Sequence, residues 1–230
     1  MLTQIQRGSK DYYDDFYKNN DWKNYPLLNR LKLIVFIKIA QSFYKKDIKT
    51  VLDAGCGKGL NTVLLNHLSY KVKGFDFSKT AIIAAQKKYP DIDFRTMNGN
   101  DLKYNEKFDF IFAKGFSPFN TRDFENSTRV FNHWRNFLTK DGVIYAISKS
   151  NFTGTSPTGW IFLDEKSINR LYGDTKLRKK IVYLFSPFWV LIYLLPKSKY
   201  ITLFLSILSK YVVARLFKIP VTVIILLQNG

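Results

Sequence analysis

Nine residues, Val51 to Gly59, read V-L-D-A-G-C-G-K-G and constrain the fold more than any other stretch of the chain. An apolar pair runs into Asp53, and three glycines follow at alternate positions (Gly55, Gly57, Gly59). An apolar pattern at helical spacing then resumes from Leu60 to Leu68. The pattern predicts a buried strand that stops, turns sharply and restarts as a helix. Glycine supplies positive φ and omits Cβ where a ligand must lie against the backbone. The helix that follows aims its free N–H groups at whatever sits in the turn. The spacing here is G-x-G-x-G, whereas dinucleotide sites use G-x-G-x-x-G. Because Gly59 follows Lys58, a phosphate-cradling G-x-x-x-x-G-K-[ST] is absent too. The turn is therefore expected to hold a nucleotide-like ligand without a pyrophosphate, with Cys56 as a small packed residue rather than a nucleophile.

Around the turn, strand and helix patterns alternate. Strands are expected at Thr50–Ala54, Lys71–Phe75, Ile92–Arg95, Phe108–Ala113 and Val143–Ser148, and helices at Leu27–Phe43, Leu60–Leu68, Ser78–Lys88 and Asn126–Leu138. Ser78 reads as an N-cap and Asp141-Gly142 as a helix-to-strand turn. Such alternation implies an α/β fold with a doubly wound, mostly parallel sheet and helices on both faces. At 230 residues the chain is read as one domain. Its expected parts are an N-terminal lid and helix (1–45), a ligand-binding core (46–150) and a C-terminal part (151–230).

In motif order, the sequence resembles the class I S-adenosylmethionine-dependent methyltransferases (EC 2.1.1). The family's first motif, E/D-x-G-x-G-x-G, is matched by Asp53, Gly55, Gly57 and Gly59, with Ala54 and Cys56 between them. The resemblance implies that Asp76, in V-K-G-F-D-F-S, holds the ribose and that Phe77 packs on the adenine. A carboxylate's paired acceptors suit a vicinal diol. Asn98, followed by Gly99, stands where the family usually has an acid, and Asp101 competes with it for that place. The stretch from Phe108 to Gly115 corresponds to the strand passing beneath the sulfonium, which puts Ala113 among the cofactor residues. The family also implies a seven-stranded sheet whose last strand is antiparallel, with Val221–Leu227 as the candidate. The implied cofactor is S-adenosyl-L-methionine and the product S-adenosyl-L-homocysteine.

Methyl transfer from a sulfonium depends largely on aligning acceptor and methyl group, and a general base is needed only for a weak or protonated nucleophile. The two histidines, His67 and His133, read as helix-surface residues. No His, Cys and carboxylate cluster has metal-ligand spacing, so no metal is expected. Tyr13 and Lys114 are the catalytic candidates. Tyr12, Asp14, Asp15 and Trp22 in the lid, and Asn120 after the fourth strand, are further acceptor-side candidates.

Thirty-six Lys and Arg against 18 Asp and Glu leave a net charge of +18, which favours anionic partners. A lone cysteine excludes an internal disulfide and suits a reducing cytosol. From residue 175 to 230 there is no acid, and nine Lys or Arg flank two apolar runs, Ile181–Leu195 and Tyr200–Leu208. Neither run reaches the ~20 apolar residues that span a bilayer. Residues 181–218 are therefore expected to form an apolar helical insertion before the last strand. Three roles stay open for it: peripheral contact with a membrane's inner face, a homodimer interface, or the wall of a substrate pocket. The leading reading is methylation at oxygen or nitrogen of an anionic small-molecule, glycan or lipid-linked acceptor. The alternatives are an RNA methyltransferase, less favoured because no RNA-binding module is recognisable, and a non-catalytic cofactor-binding partner subunit.

Overall fold

The computed structural model describes residues 9–19, 27–44, 47–120, 123–150, 163–173, 177–217 and 219–228. Seven strands form one sheet: β1 (Thr50–Ala54), β2 (Lys71–Asp76), β3 (Asp93–Thr96), β4 (Phe108–Lys114), β5 (Leu138–Ser150), β6 (Arg178–Leu184) and β7 (Val221–Gln228). Their spatial order is β3-β2-β1-β4-β5-β7-β6. The strands from β3 to β5 pair in parallel, and β7 lies antiparallel between β5 and β6. Central strand β4 (F-D-F-I-F-A-K) is buried along almost its whole length, as a parallel strand covered on both faces must be.

Alternate side chains of each strand feed two separate cores, as the two-residue period of a strand requires. On one face Leu52, Ile111, Ile144 and Ile225 pack with Val130, Phe131 and Trp134 of α5 (Phe124–Trp134) and Ile168 and Leu171 of α6 (Glu165–Gly173). On the other face Val51, Phe112, Tyr145 and Ile224 pack with α2 (Leu27–Phe43). Ile192 of α7 (Phe188–Leu194) and Leu205 of α8 (Lys199–Ile207) complete that core. Helix α1 (Lys10–Asn19) packs on α4 (Lys79–Lys88), and α3 (Leu60–His67) follows the glycine turn. Ser78 caps α4 as expected, its Oγ accepting from Ala81 N at 3.1 Å.

Three expectations need correction. The apolar run that begins at Ile181 does not start a helix, because Arg178–Leu184 is strand β6, paired residue by residue with β7. The helical insertion is therefore α7, α8 and a π-helical continuation, Leu208–Leu216. The second correction concerns Asp141-Gly142, which lies inside β5 rather than in a turn before it. Strand β5 advances five positions, from Leu138 to Val143, while β4 advances two, from Phe108 to Phe110. A Cβ on Gly142 would meet Leu138 Cβ and Phe108 O at 2.9 Å, so this irregular stretch needs glycine. Finally, α5 ends at Trp134 instead of Leu138, with a 3₁₀ turn (Arg135–Phe137) leading into the strand.

Helix α8 and its continuation seal the sheet edge. Backbone N–H groups of Tyr183 and Phe185, on and just after the outer strand, donate to Ser206 Oγ and Ser209 Oγ at 2.9 Å each. Two hydroxyls thus take the donors that an open edge would present to another chain.

Candidate active site

The glycine turn is held by the neighbouring strand. Gly55 N and Cys56 N donate to Phe75 O at 2.9 and 3.0 Å, and Gly59 N returns to Cys56 O at 3.0 Å. Gly55 and Gly57 have φ of +70° and +54°, the left-handed region that favours glycine. Gly59 also has positive φ, but a Cβ there would strike Phe94 at 2.6 Å, so its role is close packing of α3. Cys56 sits with Ile82, Ala85 and Phe94, and burial pushes its thiol well up, which suits a packed, unreactive residue.

Asp76, 3% exposed at the end of β2, ties the turn to the next helix. Its Oδ2 accepts from Gly57 N and its Oδ1 from Ser78 N, both at 2.9 Å. Burial raises its pKa while these donors oppose the rise. Asp53 is deeper still, and desolvation pushes it up to about 7 although Thr62 Oγ1 donates to it at 2.6 Å. Nearby Lys114 is shifted the other way: burial lowers its pKa and the Asp53 charge partly restores it.

Three clefts meet over this framework. The first, about 440 Å³, is walled by Asp76, Phe77, Asn98 and Gly99, and the second, about 520 Å³, by Gly55, Cys56, Gly57 and Asn61. Tyr13 and Tyr17 of α1 border both. The third, also about 520 Å³, lies over Lys32, Lys114, Lys149, Asn120, Trp189 and Thr222. Gly115 borders all three, with φ +71° and no atom within 4 Å of where its Cβ would stand.

The comparisons with known proteins agree with this geometry. The sequence pattern of a methyltransferase domain matches residues 51–142. Over 101 residues the chain is 29% identical to trans-aconitate 2-methyltransferase of Escherichia fergusonii, covering 43% of this chain and 38% of that protein. Over 152 residues it is 22% identical to demethylmenaquinone methyltransferase of Chlorobaculum tepidum, covering 64% of this chain and 62% of that one. The matched stretches thus span less than two thirds of these curated relatives. Among solved structures, the plantazolicin methyltransferase BamL, in complex with a triazolic desmethylPZN analog and S-adenosylhomocysteine, superposes with a TM-score of 0.62 at 16% identity. That superposition covers 96% of this chain and 91% of the other. Geranyl diphosphate C-methyltransferase of Streptomyces coelicolor does so with a TM-score of 0.61 at 13% identity, covering 96% and 98%. Residues 51–142 thus carry a methyltransferase domain, in a fold shared with S-adenosylmethionine-dependent enzymes.

Domains of this kind use S-adenosylmethionine, and the residues around these clefts fit it. Two glycines with positive φ border one cleft, with Phe116 and the Tyr17 hydroxyl close against them, and a buried carboxylate with an adjacent phenyl ring walls the other. Of the sequence-predicted residues, Gly55, Cys56, Gly57, Asp76, Phe77, Asn98 and Gly99 line these two clefts. Asp53, Ala54, Gly59 and Ala113 lie behind them and line none of the three. Asn98 faces the cleft while its Oδ1 accepts from Asn100 N at 3.0 Å. Its competitor Asp101 is paired at the surface with Lys103.

In the lid, Tyr13 Oη accepts from Ser117 Oγ at 2.9 Å, and the Tyr13 and Phe77 rings meet edge-on, 5.4 Å between centroids. Asp14 instead braces α4 through Ser78 Oγ and Thr80 N. Burial works against its charge, yet those hydrogen bonds hold its carboxyl below the usual value. Tyr12 borders the second cleft; Asp15 accepts from Asn19 at the surface; Trp22 lies outside the described residues. Tyr17 was not anticipated. Its hydroxyl stands 2.5 Å from where a Gly57 Cβ would be, directly on the glycine turn. The signal available was spacing, since Tyr13 and Tyr17 share one helix face at i, i+4.

Neither histidine borders the clefts. His67 is exposed, and His133 Nε2 accepts from Leu102 N at 3.0 Å. Among the described residues no group of three His, Cys, Asp or Glu side chains is placed to hold a metal ion.

Proposed function

We propose that this chain is an S-adenosylmethionine-dependent methyltransferase acting at oxygen or nitrogen of an anionic small-molecule or lipid- or glycan-linked acceptor. The observation that carries the reading is the meeting of three clefts at Gly115. When bound, S-adenosylmethionine supplies an electrophilic methyl group whose leaving group departs neutral. Asp76 would accept from the ribose hydroxyls with the lone pairs its two backbone donors leave free. Phe77 and Asn98 would flank the base, and the backbone of Gly55 and Gly57, beneath Tyr17, would receive the amino-acid end. Asp53 and Ala54 would fix the turn from behind.

The third cleft supports an anionic acceptor. Lys32, Lys114 and Lys149 line it with Asn29, Asn120, Ser148, Ser186 and Thr222, and no acid among the described residues does. Lys114 borders both the second and third clefts. It would hold the acceptor's charge beside Gly115. Tyr13 and Tyr17 would exclude water from the donor side. Catalysis would then rest mainly on alignment. Titration calorimetry with S-adenosylhomocysteine, followed by label transfer from S-adenosylmethionine to a panel of anionic acceptors, tests the reading. No affinity for S-adenosylhomocysteine would refute it.

A further inference from the structure

Helix α8 buries Leu205 but is apolar on its outer side as well. Its hydroxyl-bearing face, with Thr202, Ser206 and Ser209 of the continuation, turns inward to the sheet edge, where the two serines accept from β6 and the residue after it. Its bulky apolar face turns outward. Tyr200, Phe204 and Ile207 recur at helical spacing and are 57% to 73% exposed. Leu194 at the end of α7, and Leu216 and Phe217 at the end of the π-helical segment, extend the patch, at 62% to 71% exposed. A surface helix ordinarily turns its apolar stripe to the core, and these six side chains do no such work. Contiguous exposed apolar surface of this kind marks a docking site.

The charges around the patch select the occupant. Lys197 and Lys199 in the α7–α8 connection and Arg215 near the end are exposed, and no acid occurs anywhere from residue 175 to 230. Helix α2, packed against α7 and α8, is also free of acids, and Lys38 on it donates to Tyr193 O at 2.9 Å, closing the C-terminal end of α7. A second copy related by a two-fold axis would set this basic face against itself. Lipid phosphates would neutralise it while the leaflet takes up the apolar side chains.

We propose that the outer face of α7, α8 and the π-helical segment docks onto one leaflet of an anionic membrane. No helix among the described residues is long and apolar enough to cross a membrane, so the contact is interfacial. Helix α7 also supplies Trp189 to the wall of the third cleft, which sets that cleft beside the lipid surface. The lipid contact itself does not depend on which reaction the cleft carries.

Vesicle flotation of the full chain tests this. The wild type should float at low salt with phosphatidylcholine vesicles containing roughly 30% phosphatidylglycerol and stay behind with phosphatidylcholine alone, because anionic lipid supplies the attraction. Phe204→Glu with Leu216→Glu should abolish flotation. Lys197→Glu with Lys199→Glu should lower partitioning about tenfold or more. Both pairs are exposed, and unchanged thermal unfolding of each variant is the control for folding. Three results would overturn the proposal: no flotation of the wild type at low salt, equal flotation of the Phe204→Glu/Leu216→Glu variant, or light scattering that shows a dimer which the same variant dissociates.

Discussion

Replacing Asp76 with asparagine, nominally an isosteric change, should be costly because both carboxylate oxygens already accept backbone N–H groups, from Gly57 and Ser78 at 2.9 Å. Asparagine has one acceptor oxygen, and its NH₂ group must face the other N–H whichever way the amide sits. Leaving a buried donor unsatisfied costs about 1–3 kcal/mol. With Asp76 only 3% exposed, water cannot readily take its place. A loss of about 2 kcal/mol corresponds to roughly 4–8 °C in Tm for a chain of this size. The ligand adds a second readout, since S-adenosylhomocysteine stabilises the folded protein in proportion to its affinity. Scanning calorimetry of wild type and Asp76→Asn, with and without S-adenosylhomocysteine, should show a lower Tm and a smaller ligand-induced rise. A Tm within about 1 °C of wild type would refute the double-acceptor role. A lowered Tm with the full ligand-induced rise would show Asp76 to be structural and not a ligand residue.

Other perturbations probe the neighbouring elements. Asp53, raised by burial from 3.8 to about 7, keeps its proton in the folded state over a range where the unfolded chain has lost it. Stability therefore falls as pH rises from about 4 to about 7. Asp53→Asn, which can still accept from Thr62, should remove that slope in urea titrations of the ligand-free protein, with a ceiling of about 4 kcal/mol at pH 8; a parallel pH profile would contradict the assignment. Gly57→Ala should cost about 1–2 kcal/mol from its left-handed φ. It should also push Tyr17 off the turn, read as faster proteolysis within α1. Ser206→Ala with Ser209→Ala should strip the acceptors from Tyr183 N and Phe185 N, at about 1–3 kcal/mol each. Faster hydrogen exchange at those two amides is the expected sign, and unchanged exchange would count against the edge seal.

Much of the site was legible because it is local. Turn geometry and glycine φ are set within a few residues at Gly55 and Gly57. Asp76, 19 positions after Gly57, and Phe77 beside it stand out as the end of the next apolar strand, even though the Gly57–Asp76 contact joins two elements. Tyr17 was missed because its role depends on α1 folding back over a turn some forty positions away. Strand β6 was missed for a related reason. The segment from Ile181 to Leu184 (I-V-Y-L) is apolar and short, and such a run reads equally as helix or strand. Its β-branched residues after Arg178-Lys179-Lys180 were the available hint. Pairing with β7 decided the matter.

By itself, the sequence determined the parallel core, the glycine turn and the nature of the ligand, since strand burial, left-handed glycines and helix caps are set by neighbours along the chain. Only tertiary structure decided that Gly115 joins three clefts, that Asp53 and Ala113 stand behind the walls rather than on them, and that α8 turns its hydroxyls inward. The last of these depends on which backbone donors remain unpaired once the sheet has closed. At the β6 edge two N–H groups needed acceptors, and satisfying them with Ser206 and Ser209 left the apolar side of α8 facing outward.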